Sequence, residues 1–291
     1  MITYQPKSWW RLFFSLRGTV LTGVAPRALL VALLGLLTAV GDRAGWLPPL
    51  DPVVHSILGA VVGLLIVLRT NCSYDRFWDG RKQWGDLIGA SRSLVRAAAA
   101  YAGPADDLAR RVTAHVRLLK EHLRNRRDLS ALKAALPAEE YRRVEAAANP
   151  PAVSLGLLSG WVARRLAEGR PGASSAGLEG HLTKMAEAQS GCERIRSTPI
   201  PFVYAVHIKH LLFAYLATLP FVLASKMGLA TPLAVGLIAF GLLGVEEAGL
   251  EWEDPFGEDA NDLPTDAMCD ALERDVTALA ELPEPAARKA A

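Results

Sequence analysis

Hydrophobic and polar positions fall into blocks along this chain, and the blocks set its architecture. Uncharged apolar runs occupy Ala28–Gly41, Val53–Leu68 and Met227–Val245, and another opens at Ile200-Pro201 as IPFVYAVHIKHLLFAYLATLPFVLAS. The first two are short for a bilayer core of roughly 30 Å, which takes about 20 helical residues. Snorkelling of Arg27 extends the first to a span over Val20–Gly41. Residues 104–199 hold no long apolar stretch. There the spacing predicts helices over Arg110–Leu123, over Leu132–Ala148 with a break at Pro137, from Pro150-Pro151 onward, and over His181–Arg196. GDRAGWLPPLD at 41–51 and GRPGASSAGLEG at 169–180 read as a turn and a loop. In SWWRLFFSLRG at 8–18, Trp9, Trp10, Phe13 and Phe14 alternate with Arg11 and Arg17, which suits a helix at the lipid headgroups.

The longest predicted element runs from Asp51 to about Arg96. Asp51-Pro52 opens it well, because the carboxylate caps free amides and proline fits the first turn. No proline follows until Pro104, so the apolar half passes straight into NCSYDRFWDGRKQWGDLIGASRSLVR. At about 1.5 Å per residue this helix is on the order of 60 Å long or more, well beyond a bilayer core. Within it Ala60, Leu64 and Leu68 recur every four residues and share a face. Gly59 and Gly63 make an adjacent small-residue patch on which another backbone can close. In a ring of copies the leucine face becomes an apolar collar around an axis, a constriction of the kind that gates by dewetting.

Charge fixes the orientation. Arginine and lysine gather before the first apolar run, after the second and before the third, while the connections at 42–51 and 226–231 carry few. The positive-inside rule then places both termini and the 69–199 region in the cytoplasm. The expected plan is an all-α membrane protein with four transmembrane helices per protomer and a helical cytosolic region. Its parts are 1–68 with the interfacial helix and the first two spans, 69–199 in the cytosol, 200–250 with the last two spans, and a cytosolic segment at 251–291.

The net charge of +2 over 291 residues says less than its distribution, basic across 69–127 and acidic across 246–275. The basic block carries no aromatic interleaving or motif for nucleic acid, so none is expected as a partner. Cys72, Cys192 and Cys269 lie far apart without CxxC spacing and read as reduced thiols. The N-terminus lacks the pattern of a cleaved signal peptide. For an enzyme the chain offers little: there is no GxSxG, phosphate-binding loop or HExxH. His207 and His210, three apart on one helix, with Glu247 nearby, are the material for a membrane-embedded metal site. Asp75, Asp79 and Asp86 stand among Arg76, Arg81, Trp78 and Trp84, where ion pairing inside the protomer is expected.

Three blocks in this order, RTNCSYDRFWDGRKQWG (69–85), IPFVYAVHIKHLLFAYLATLPF (200–221) and EWEDPFGEDANDLP (251–264), resemble the bestrophin family, above all its bacterial and plant branch. With RLFFSLRGTV at 11–20 the likeness covers most of the chain. The resemblance implies a homopentameric ion channel in the bacterial inner membrane, with one central pore and both termini cytosolic. It implies a neck at the three positions upstream of Arg76-Phe77-Trp78, here Ala60, Leu64 and Leu68, which are smaller than the family's usual residues and include no aromatic. It implies a second, cytosolic constriction, matched most nearly by Ile195. The animal members bind calcium after PFGED. Glu258, Asp259, Asn261 and Asp262 are the candidate calcium ligands here, although Ala260 and Asn261 interrupt the acidic run and bacterial members generally lack this control. No cofactor is required for conduction. The permeant ions implied are chloride and other small monovalent anions, with a sodium-selective channel as the alternative, since the neck lacks the aromatic edges that favour anions. A non-conducting membrane scaffold whose 69–199 region binds a partner is the reading from another class.

Overall fold

A computed structural model of the protein describes residues 9–16, 18–47, 51–168 and 175–281. Every regular element among them is helical: α1 (Trp9–Phe13), α2 (Leu21–Arg43), α3 (Pro52–Tyr101), α4 (Asp106–Leu123), α5 (Ser130–Ala135), α6 (Ala138–Glu145), α7 (Pro150–Ala167), α8 (Ser175–Ser197), α9 (Phe202–Met227), α10 (Thr231–Glu251) and α11 (Thr265–Ala280). Arg17, the side chain of Trp9, and parts of the expected turn (48–50) and loop (169–174) lie outside the described residues. The helix expected from His181 begins earlier, at Ser175.

Leu21–Arg43, Pro52–Tyr101 and Phe202–Glu251 are each long and apolar enough to cross a membrane. The last holds two helices. Gly228, with φ at 51°, ends α9, and a single 3-10 turn at Gly228–Ala230 leads into α10. Glycine takes that left-handed backbone without the Cβ clash another residue would meet.

By packing, the chain forms two compact units. The first comprises the residues up to Trp78 together with Pro199–Asp262. In it α2 lies against α9 and α10, and the core gathers Ala28, Val62, Ile66, Ile208, Leu212, Leu216 and Ala239. The helices meet closely where residues are small: a Cβ on Gly35 would lie 2.7 Å from Val235 Cγ2 and 3.1 Å from the Pro232 backbone. Outward faces carry exposed Leu30, Leu37, Phe213, Leu233 and Leu237, a surface that suits lipid.

The second unit comprises Asp79–Thr198 and the chain from Leu263 onward. Here α4 packs against α5, α7, α8 and α11 over buried Leu108, Leu119, Leu158 and Met185. Its basic side chains are met by the acidic ones of α11. Arg117 pairs with Asp270 at 2.8 Å and Glu273 at 2.7 Å, while Lys120 and Arg124 reach Asp266 at 2.5 and 2.8 Å. Much of the charge asymmetry seen along the sequence is therefore satisfied inside the fold. Cys192 and Cys269 are buried, which pushes their thiols up to about 12 and about 11, out of the reactive range.

Candidate functional site

The helix that dominates the sequence is continuous over its 50 residues, which gives a length of about 75 Å. Its start is capped as expected, with the Val53 amide donating to Asp51 Oδ1 at 2.8 Å. It ends just before Gly103, whose φ of 89° excludes further helix.

Within the first unit α3 has two distinct faces. Val62, Ile66, Arg69 and Ser73, spaced by three or four residues, are buried. Ile57, Ala60, Val61, Leu64, Leu68, Asn71, Cys72 and Asp75 form an exposed stripe on the other side. Leu64 is 60% exposed and Leu68 is 46% exposed. A leucine side chain left in water forgoes about 1.5–3 kcal/mol, so this stripe calls for a lipid or protein neighbour, or a dewetted passage. The expected small-residue patch divides: a Cβ on Gly59 would lie 2.9 Å from the Tyr215 ring, whereas one on Gly63 would meet nothing within 4 Å. Gly59 serves helix packing inside the protomer.

The buried face is held by a polar cluster that the sequence reading missed. Arg69 Nη1 donates to Glu246 Oε1 at 2.8 Å, and both residues are almost fully buried, at 2% and 4% exposure. Lys209 Nζ lies 3.1 Å from the same oxygen, and Arg69 Nη2 lies 3.5 Å from Glu253. One turn further, Arg76 Nε donates to the Glu253 carbonyl at 2.5 Å, and Tyr74 meets Trp252 edge to face at 5.9 Å. The signal was present: Arg69 and Glu246 are the first charges after two apolar runs, where boundary residues of adjacent helices meet. Their pairing fixes the rotation of α3 immediately beside Leu68, so the leucine stripe faces away from the protomer core.

Glu247 is held by Arg27 at 2.8 Å, and among the described residues no three His, Cys, Asp or Glu side chains converge to hold a metal. His207 and His210 stand exposed on α9. Asp79 pairs inside the protomer, with Lys82 at 3.1 Å, whereas Asp75 has no ion-pair partner among the described residues. Trp84 is wholly buried in the second unit. Ile195 on α8 is buried, at 8% exposure.

The PFGED segment closes on itself. The Asp259 amide donates to Asp262 Oδ2 at 2.6 Å, and Asn261 Nδ2 reaches Glu251 at 2.6 Å and the Gly18 carbonyl at 3.1 Å. A Cβ on Gly257 would fall 2.5 Å from Asp262 Oδ2, so a side chain there has to displace the carboxylate that holds the Asp259 amide. Burial pushes the Asp262 carboxyl up to about 6; the Asp259 amide opposes this, and nearby Asp259, Asp254 and Glu251 add to it. Glu258 is exposed. Asp259, Asn261 and Asp262 are thus tied into the turn by hydrogen bonds.

Comparison with known proteins agrees with this architecture. A family model described as Bacterial/Fungal Bestrophin protein matches residues 1–278. The voltage-dependent anion channel-forming protein sll1024 of Synechocystis is 34% identical over 291 residues, covering 96% of this chain and 94% of that one. The voltage-dependent anion channel-forming protein YneE of Escherichia coli K12 is 31% identical over 298 residues, covering 97% and 96%. A crystal structure of a bacterial bestrophin homolog from Klebsiella pneumoniae superposes with a TM-score of 0.80 at 28% identity, covering 87% of this chain and 97% of that one.

Proposed function

The chain belongs to the bacterial and fungal bestrophin family, and we propose that it is an anion channel whose pore forms where copies of α3 meet around a common axis. It is a channel rather than an enzyme. The permeant ions are chloride and other small monovalent anions, and the assembly is a homopentamer. The observation that carries this reading is the stripe of Ala60, Leu64 and Leu68. It is exposed in the single protomer, aimed outward by the buried Arg69–Glu246 pair, and continued in register by polar Asn71 and Asp75.

In the pentamer the two leucine rings form the narrowest part of the pore and Ala60 leaves a wider ring above them. Such a neck passes ions by wetting and closes by drying, and it consumes no cofactor. Calcium is not required. The protein is multi-pass, with α9 and α10 as separate spans, in the inner membrane of a bacterium, and both termini lie on the cytoplasmic side where arginine and lysine gather.

Purified protein in planar bilayers under asymmetric NaCl tests the proposal. A reversal potential displaced from zero toward that of chloride is expected, with conductance raised in Leu64→Ala and Leu68→Ala. A potential near that of sodium overturns the anion assignment. Absence of current, or leucine variants indistinguishable from wild type, overturns the pore itself in favour of a scaffold.

A further inference from the structure

Asp75 stands seven residues after Leu68, and seven residues are close to two helical turns, so the two side chains share the exposed face of α3. The rise from one to the other is about 10 Å. Asp75 is exposed, and no cation pairs with it among the described residues. The adjacent Arg76 is turned off the stripe and half-buried, with its Nε on the Glu253 carbonyl. Between collar and carboxylate stand only Asn71 and Cys72, neither of which supplies a positive charge.

We infer that Asp75 sets the balance of anions against cations in this pore. The inference rests on the conduction proposed above, in which each copy of α3 turns this stripe to the axis. Five copies place five carboxylates in one ring at the entrance to the leucine collar. Such a ring depletes anions and enriches monovalent cations at the constriction. It therefore opposes the anion preference rather than creating it, and the channel discriminates less between chloride and sodium than its collar alone would. In water, with a Debye length of about 8 Å at 0.15 M salt, a ring about 10 Å away lowers the anion concentration at Leu68 about threefold. At 0.01 M the Debye length is about 30 Å and the depletion grows to about tenfold.

The experiment compares wild-type and Asp75→Asn channels in planar bilayers, reading reversal potentials in asymmetric NaCl at these two ionic strengths. The chloride-to-sodium permeability ratio combines the anion depletion with an equal cation enrichment, so it is expected to rise in Asp75→Asn by about tenfold at the higher salt and about a hundredfold at the lower, with Asp75→Glu behaving as wild type. Should Asp75→Asn fail to assemble, wild type alone decides, because its ratio must fall as salt is diluted. A conducting Asp75→Asn channel with unchanged reversal potential, or a wild-type ratio independent of salt, overturns this inference and leaves the pore intact. Absence of wild-type current overturns the conduction on which it depends.

Discussion

Removal of one partner from the Arg69–Glu246 pair is the sharpest test of how the leucine stripe comes to face outward. Both groups are nearly excluded from solvent, so their contact cannot be replaced by water. Glu246→Ala strands the Arg69 guanidinium with only Glu253, 3.5 Å away, and its Nε already lacks a partner. An uncompensated buried charge of this kind typically costs about 3–5 kcal/mol. Arg69→Met is milder, because Glu246 keeps the half-exposed Lys209 at 3.1 Å. The double variant Arg69→Met/Glu246→Leu removes both charges and fills the site with apolar volume, so it should lie close to wild type. At about 2–4 °C per kcal/mol for a chain of this order of size, the melting temperature of detergent-solubilised Glu246→Ala should fall by roughly 10 °C. Arg69→Met should fall less, and the double variant should recover most of the loss. The measurement is a thermal double-mutant cycle followed by intrinsic tryptophan fluorescence. Single variants melting with wild type, or a double variant as unstable as the two losses summed, would refute the idea that this pair locks α3.

Two further outcomes follow from local geometry. His115 on α4 is completely buried, neither ring nitrogen has a hydrogen-bond partner among the described residues, and burial lowers its pKa to about 4 from 6.5. As pH falls through 6.5 the unfolded chain binds a proton that the folded chain refuses. Stability therefore declines down to about pH 4, by about 3 kcal/mol at 1.36 kcal/mol per unit. His115→Leu should flatten the dependence of melting temperature on pH in that window, and parallel curves for the two proteins would dismiss it. Gly35→Ala should destabilise by about 1–3 kcal/mol, because its Cβ has to displace Val235 and the Pro232 backbone where α2 meets α10. A melting temperature unchanged from wild type would show that the two helices can separate at no cost.

The helical plan was legible because it is local. Asp51-Pro52, the absence of proline before Pro104 and the apolar run followed by charge predicted α3 almost to its ends, and periodicity placed Leu64 and Leu68 on one face. The family blocks were legible for the same reason, since each is a contiguous string. What periodicity cannot say is which face of a helix its own protomer covers. That was decided by pairing between residues as far apart as Arg69 and Glu246, which buried one side of α3 and left the leucines bare. The same limit explains why spacing named no partner for Asp79, which pairs with Lys82, and did not foretell the burial of Ile195.

By itself the sequence determined that this chain is helical, where its apolar runs begin and end, and that one helix far outlasts a bilayer. Those properties follow from side-chain spacing within a few residues. Only the tertiary structure decided which charges neutralise one another and which, like Asp75, have no ion-pair partner among the described residues. Ion pairing depends on distance in space, and the electrostatic character of the proposed pore is set by the charges left over once the fold has matched the rest.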